Sequence, residues 1–243
     1  KSELNSDSNG LDYLRANKKE FLAQLFMCYE LADQFESKIP EDSENYFYSV
    51  WLDEGAVMMS MLRDKGSIDS YVLRLHGYDL YDDRREGDYM PFRKYCFERA
   101  SRIFVVSEKG AQYTRSLNIC PEKVIANYSG LYDHGLSKEY AGESRFISCS
   151  NLVSLKRVEL IIELLKKVKG AVTWVHYGDG VERERLEQLA AELPDHVNWQ
   201  FAGHVSYSQL IEAYQNNHWT AFLHFSEHEG LPMALVEAMS FGI

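Results

Sequence analysis

The sequence predicts an α/β protein of two Rossmann-like domains, parallel sheets flanked by helices. Three observations predict it. From Arg145 onward, short apolar runs and helical periods alternate with little slack, the pattern of βα units. The N-terminal half alternates in the same way, less regularly. Between the two, residues 129–144 contain Gly and Ser, lack any period, and read as an interdomain linker. The expected organisation is a domain over 1–130, a linker over 131–144 and a domain over 145–243.

Taken in order, the elements begin with a helical stretch near Leu11 to Ser37, a strand Tyr46 to Trp51 and a helix Glu54 to Arg63. A strand Tyr71 to His76 follows, then a polar, arginine-bearing segment and a helix from Pro91 to Ala100. Strand Arg102 to Ser107, helix Glu108 to Leu117 and strand Lys123 to Tyr128 close the first domain. The second opens with strand Arg145 to Ser150 and a helix Lys156 to Lys169, whose Val158, Ile161, Ile162 and Leu165 recur at helical spacing. Strand Ala171 to Tyr177 with helix Val181 to Glu192, and strand Val197 to Phe201 with helix Ser206 to Asn217, make the next two units. The fourth is strand Thr220 to Phe225 and a helix opening at Pro232, whose fixed φ and missing N–H suit a first turn. No internal repeat or low-complexity tract interrupts this order.

Composition narrows the function classes. With 243 residues, 45% hydrophobic and 26% charged, the chain can bury one large core or two modest ones, and two domains is the better expectation at this length. No run approaches the roughly 18 apolar residues of a membrane helix, and the N-terminus is polar, unlike a signal peptide. Cys28, Cys96, Cys120 and Cys149 stand apart and form no CxxC, which points to a reducing cytoplasm rather than a disulfide framework or zinc site. The formal charge of −11 argues against a nucleic-acid partner. The Asn-Tyr-Ser sequon at Asn127 would matter only in a secreted protein.

In a parallel sheet, ligands collect at the carboxyl ends of strands, where helix N-termini present unpaired N–H groups and a positive dipole. The fourth such loop carries Glu229 just before its helix and Glu237 about one and a half turns into it. Two carboxylates so placed can accept hydrogen bonds from two sets of hydroxyls on one elongated ligand, while the amides between them face a diphosphate. Gly230 lets that backbone come close. The bland alternative is a solvated loop and an amphipathic helix. His224-Phe225-Ser226-Glu227-His228 also matches the H-x-x-E-H pattern of zinc peptidases. That chemistry needs both histidines on one helix face, whereas here one closes a strand and the other lies in a loop. No metal is expected, and no Asp-x-Asp is present.

The run Glu229-Gly230-Leu231-Pro232 through Glu237-Ala238-Met239 resembles the Glu-x7-Glu signature of retaining glycosyltransferases of family 4 (group 1), which have the GT-B fold. Asn151-Leu152-Val153-Ser154-Leu155-Lys156-Arg157 looks like the family's Gly-Arg-Leu…Lys-Gly segment. Tyr177-Gly178-Asp179-Gly180 is similar to its Gly-x-Gly turn, and Phe201-Ala202-Gly203-His204-Val205 to its third-strand loop. Arg74-Leu75-His76-Gly77-Tyr78-Asp79 resembles the His-Gly-x-Asp segment of bacterial members. These motifs cover roughly residues 45–243 in the family's order.

The resemblance implies a retaining, metal-independent glycosyltransferase without a cofactor. It would take a sugar from a nucleotide-sugar donor to a glycan or lipid-linked acceptor docked on the N-terminal domain. A lipid-linked acceptor adds transient association with a membrane surface to the expected partners. By position, Glu229 contacts the sugar hydroxyls, Glu237 the ribose hydroxyls and Lys156 the diphosphate, a fixed cation for the charge that develops as it departs. His76 is the second catalytic candidate, at a strand end where it can stabilise the sugar. Arg157, Gly230, Leu231, Met233, Gly178 and Gly203 complete the donor-binding set. The family's arginine is Asn151 here and its glycine is Arg157, which leaves the second cation open. Gly178-Asp179-Gly180 alone is also a plain turn, His204 reads as a surface residue, and Asp79 as a turn cap. The resemblance further implies a preceding strand with a glycine-rich loop and a closing strand and helix after Ile243, so the chain reads as truncated at both ends. Two alternatives stay open: a nucleotide-sugar-binding remnant without turnover, and a sugar-nucleotide epimerase.

Overall fold

The computed structural model describes residues 8–40, 43–138, 142 and 144–243. The chain divides into two compact units, 1–129 and 130–243, each with its own parallel sheet. The α/β fold class is as expected.

The first unit opens with helices α1 (Ser8–Ala16) and α2 (Lys18–Glu36) rather than one continuous helix. Asn17 separates them. Its backbone leaves helical geometry at φ −116° and ψ 31°, although its N–H and its side-chain amide both donate to Tyr13 O. Then follow β1 (Tyr48–Ser49), α3 (Glu54–Lys65), β2 (Val72–Leu75), α4 (Arg93–Arg99), β3 (Arg102–Val105), α5 (Glu108–Ser116) and β4 (Val124–Ala126). The strands pair in chain order, β1-β2-β3-β4, all parallel. Asp53 caps α3 through Gly55 N, and Ser107 caps α5 through Gly110 N. Leu73, Leu75, Ile103 and Val105 form the sheet's share of the core, with Leu62 and Phe97 packed on them.

The second unit contains β5 (Ser144–Cys149), α6 (Glu159–Leu165), β6 (Val172–Tyr177), α7 (Arg183–Ala190), β7 (Val197–Gly203), α8 (Tyr207–Asn216), β8 (Ala221–Phe222) and α9 (Met233–Ser240). All four expected βα units are present. The strand order is β7-β6-β5-β8. Each face of the sheet is buried: Trp174, Phe201, Ile162 and Leu186 lie in one cluster, and Ile147, Val175, Tyr214 and Phe241 in the other. Residues 130–138 pack on this unit. Ser137 N donates to Phe241 O at 2.9 Å, Gln215 Nε2 to His134 O at 2.7 Å, and the His134 and Phe241 rings stack.

The largest local departure follows β5. Residues 154–156 form a 3-10 turn, Arg157 takes a left-handed conformation with φ 47°, and α6 begins only at Glu159. The helical spacing of Val158, Ile161, Ile162 and Leu165 is real, but it starts after this turn, not at Lys156.

Candidate functional site

The strand order places the site. The chain runs outward from β5 to β6 and β7, then returns to lay β8 on the other side of β5. The loops after β5 and β8 therefore leave the sheet in opposite directions and open a crevice between them, the switch point where open α/β sheets bind ligands. Lys156 comes from the first loop and Glu229 from the second, 73 residues apart in sequence, and their side chains meet: Lys156 Nζ lies 2.6 Å from Glu229 Oε1. One backbone bond and one side-chain bond hold the two loops together, with Glu227 N donating to Leu155 O at 3.0 Å and Arg157 Nε to Phe225 O at 2.8 Å.

A cavity of about 480 Å³ occupies this crevice, within the size range of small-molecule sites. Lys156 and Glu229 line it with Asn151 and Gly178, and His204 and Tyr207 line it from the β7–α8 side. Met233 and Ala234 form another wall at the start of α9. Pro232 precedes this helix as its N-cap instead of opening it, and offers no side-chain cap. Its carbonyl accepts from Leu235 and Val236, while the amides of Met233 and Ala234 have no hydrogen-bond partner among the described residues. The helix thus presents two unpaired donors and its positive dipole end beside Lys156.

Glu237 lies farther along α9, half-buried. Its carboxylate makes no hydrogen bond or ion pair among the described residues, and burial raises its pKa, with His134 opposing. It stands within electrostatic reach of two cavity-lining groups, Cys149 and Tyr207. The Cys149 thiol is pushed up to about 11, first by burial and then by Glu237, so it is a protonated wall rather than a nucleophile.

The glycine motif has a structural demand of its own. Gly178 has φ 132°, and a Cβ there would sit 1.9 Å from Ser150 O. A Cβ on Gly180 would sit 2.4 Å from Leu152 O. The turn after β6 is laid directly on the backbone of the β5 loop, with Leu152 N donating to Asp179 O, so both residues must lack side chains. Gly203 borders the cavity only through its successors; its carbonyl accepts from Gly178 N at 2.8 Å.

Of the expected donor set, Lys156, Glu229, Met233 and Gly178 line the cavity, while Glu237 does not line it and stands only within electrostatic reach of the lining groups Cys149 and Tyr207. Gly230 and Leu231 form the bend between the lining residues Glu229 and Pro232. Arg157 is not a cavity-lining cation: the left-handed turn directs its Nε to Phe225 O, making it a tie between the two loops. His204 is exposed at the cavity mouth.

His76 belongs to the first unit, just past the end of β2. Its ring packs on Trp51 at 4.2 Å, its Nδ1 is buried without a partner, and burial lowers its pKa, so it is neutral near pH 7. Asp79 is a turn cap and more. Its carboxylate accepts from the amides of His76, Gly77 and Leu52, joining the loops after β1 and β2.

Two histidines escaped the sequence reading as contributors to this region. His176, on β6, is fully buried: Trp174 Nε1 donates to Ser148 Oγ, whose hydroxyl meets His176 Nδ1 at 2.8 Å, and Nε2 donates to Ser150 O at 3.1 Å. His224, just past β8, lines the cavity with Nε2 3.5 Å from Glu229 Oε1. Among the described residues no group of three His, Cys, Asp or Glu side chains is placed to hold a metal ion, and no helix is long and apolar enough to cross a membrane.

Comparison with known proteins places this geometry. Residues 135–243 match the family model described as glycosyl transferases group 1. The chain is 25% identical over 246 residues to a poly(ribitol-phosphate) alpha-N-acetylglucosaminyltransferase of Staphylococcus aureus (strain COL), covering 97% of this chain and 47% of that protein. It is 29% identical over 137 residues to the UDP-N-acetylglucosamine–peptide N-acetylglucosaminyltransferase GtfA subunit of Streptococcus agalactiae, covering 54% of this chain and 26% of that one. The chain thus spans less than half the length of these curated relatives. Among solved structures, the apo lipopolysaccharide outer core galactosyltransferase WaaB superposes with TM-score 0.68 at 21% identity, over 93% of this chain and 61% of that one. That likeness assigns the fold, the two-domain GT-B class.

Proposed function

We propose that this chain, a member of the group 1 glycosyl transferases through residues 135–243, binds a nucleoside diphosphate-sugar in the second unit's crevice and transfers the sugar to an acceptor hydroxyl. One observation carries the reading: Lys156 and Glu229, from the loops on either side of the switch point, meet at 2.6 Å beside the unpaired amides of α9. The lysine and the amides suit a diphosphate, and the carboxylates of Glu229 and Glu237 suit hydroxyls on either side of it.

The finer reading is a retaining, metal-independent transfer. Retention follows from the family resemblance. Metal independence is supported by Lys156, together with the Met233 and Ala234 amides, which can stabilise the charge left on the departing diphosphate. Glu229 positions the sugar and Glu237 the ribose. For His76 the family resemblance implies a role toward the sugar, and its neutral imidazole suits hydrogen bonding rather than strong base catalysis. The relatives named above are N-acetylglucosaminyltransferases, which makes UDP-N-acetylglucosamine the first donor to try and favours transfer over epimerisation or binding without turnover. A glycan or lipid-linked acceptor and a cytoplasmic setting, consistent with four free thiols, complete the proposal.

The test is calorimetric titration with UDP, GDP and ADP, followed by turnover assays with the corresponding sugar donors. Binding of one diphosphate that is lost in Lys156→Ala is the expected result. No binding of any of the three would overturn the reading.

A further inference from the structure

Glu229 Oε1 stands between two nitrogens. Lys156 Nζ, from the turn after β5, holds it at 2.6 Å. His224 Nε2, from the end of β8, stands 3.5 Å from the same oxygen, buried and without a hydrogen-bond partner. That distance is too long for a hydrogen bond, and an unpaired buried imidazole nitrogen is costly to keep. A small rotation of the carboxylate would close the gap, but Lys156 now commands the oxygen.

We propose that His224 is a positioning residue for Glu229: when a diphosphate draws Lys156 out of the ion pair, His224 Nε2–H takes over Oε1 and keeps the carboxylate aimed at the sugar. The inference rests on the reading that Lys156 binds the diphosphate and Glu229 the sugar. Without this exchange of partners, diphosphate binding would strip Glu229 of the contact that orients it just when its orientation matters. With it, one oxygen stays anchored and Oε2 is left for the sugar. No proton transfer is required, because a neutral imidazole carrying hydrogen on Nε2 already donates.

The charged groups facing His224 are Glu229 from its own loop and Lys156 from the turn after β5. The other titratable groups lining the cavity are His204 and Tyr207 from the β7–α8 side and Cys149 and Tyr177 from the ends of β5 and β6. Burial first, and Lys156 after it, lower the His224 pKa, while Glu229 opposes them. A diphosphate that neutralises Lys156 removes one of the lowering influences.

The test compares the chain with His224→Leu and His224→Gln by calorimetry, using UDP and UDP-N-acetylglucosamine as probes. Leucine fills the space without a donor, and glutamine supplies an N–H near the place of Nε2. In His224→Leu, UDP affinity should stay within about threefold, while affinity for the sugar nucleotide relative to UDP falls roughly three- to tenfold and returns in His224→Gln. An unchanged ratio in His224→Leu, or a glutamine variant as impaired as leucine, would each overturn the proposal while leaving UDP binding intact. If His224→Leu does not fold, His224→Ala takes its place: a fallen ratio that returns in His224→Gln supports the proposal, and an unchanged ratio overturns it. Failure of the unmodified chain to bind UDP, GDP or ADP would instead sink the functional reading beneath it.

Discussion

The ammonium of Lys156 is held 2.6 Å from the carboxylate of Glu229, so the cation proposed for the diphosphate is engaged by the anion proposed for the sugar. The two side chains are about equally shielded from solvent, at 22% and 23% exposure, which makes their mutual release part of any binding event.

Removing one partner should therefore have opposite effects on a bare diphosphate. Lys156→Ala should weaken binding of the cognate nucleoside diphosphate roughly 10- to 100-fold, the usual value of a charged hydrogen bond. Glu229→Gln should bind it equally well or up to a few-fold tighter, because Lys156 no longer leaves an ion pair, yet lose affinity for the intact sugar donor. Calorimetry on both variants checks this. Equal losses of bare diphosphate affinity in the two would contradict the opposition.

Glu237 sets binding against stability. Burial raises its pKa, so the ionised carboxylate is held in an unfavourable place at neutral pH and contributes stability only as pH falls low enough to protonate it. Glu237→Gln keeps the shape and removes the charge. It should raise the melting temperature while weakening nucleoside diphosphate affinity about tenfold or more. A variant that binds normally would remove Glu237 from the ligand contacts.

His176 gives the second unit a specific acid sensitivity. Burial pushes its pKa down to about 4, against about 6.5 in the unfolded chain, so the unfolded chain takes up the proton first. Its contribution to stability is complete above about pH 6.5, declines through the window down to about pH 4 and is flat below, a loss of about 3 kcal/mol at most. Urea unfolding between pH 7.5 and 4 should show a shallower decline in His176→Gln than in the unmodified chain. Parallel curves would refute the assignment.

The contact between the β6 turn and the β5 loop leaves no room for a methyl group. Gly178→Ala, with φ 132° and Ser150 O in the way, should cost on the order of 2–4 kcal/mol. Gly130→Ala, with open space around it, should lie within about 0.5 kcal/mol of the unmodified chain. Denaturant midpoints measured side by side decide between them.

The site was legible where chemistry and topology coincide. Lys156 and Glu229 each sit in a strand-to-helix loop, and alternation alone places those loops at one end of a parallel sheet. Arg157 was not legible, because a 3-10 turn ending in a left-handed residue leaves no trace in helical periodicity. His176 was hidden by the apolar alternation of Val172, Trp174 and their neighbours, and its polar partner Ser148 stands on an adjacent strand. The break at Asn17 was lost for a similar reason, since one residue of non-helical backbone interrupts an otherwise continuous helical pattern. In residues 130–138, the absence of period suggested a free linker. Backbone bonds to Asn217 and Phe241, invisible to pattern, hold that segment on α8 and α9.

Strand β8 is two residues long and joins β5 through partners about 75 positions away, with Arg145 N meeting Thr220 Oγ1 and Thr220 N meeting Arg145 O. Closing so long a loop costs entropy before any contact repays it, so this seam should form late in folding and open first in the native protein. The crevice lies across that seam. A molecule that grips Lys156 on one bank and Glu229 on the other would act as a rivet, joining the most easily parted edge of the sheet and slowing hydrogen exchange there far more than in β6 or β7.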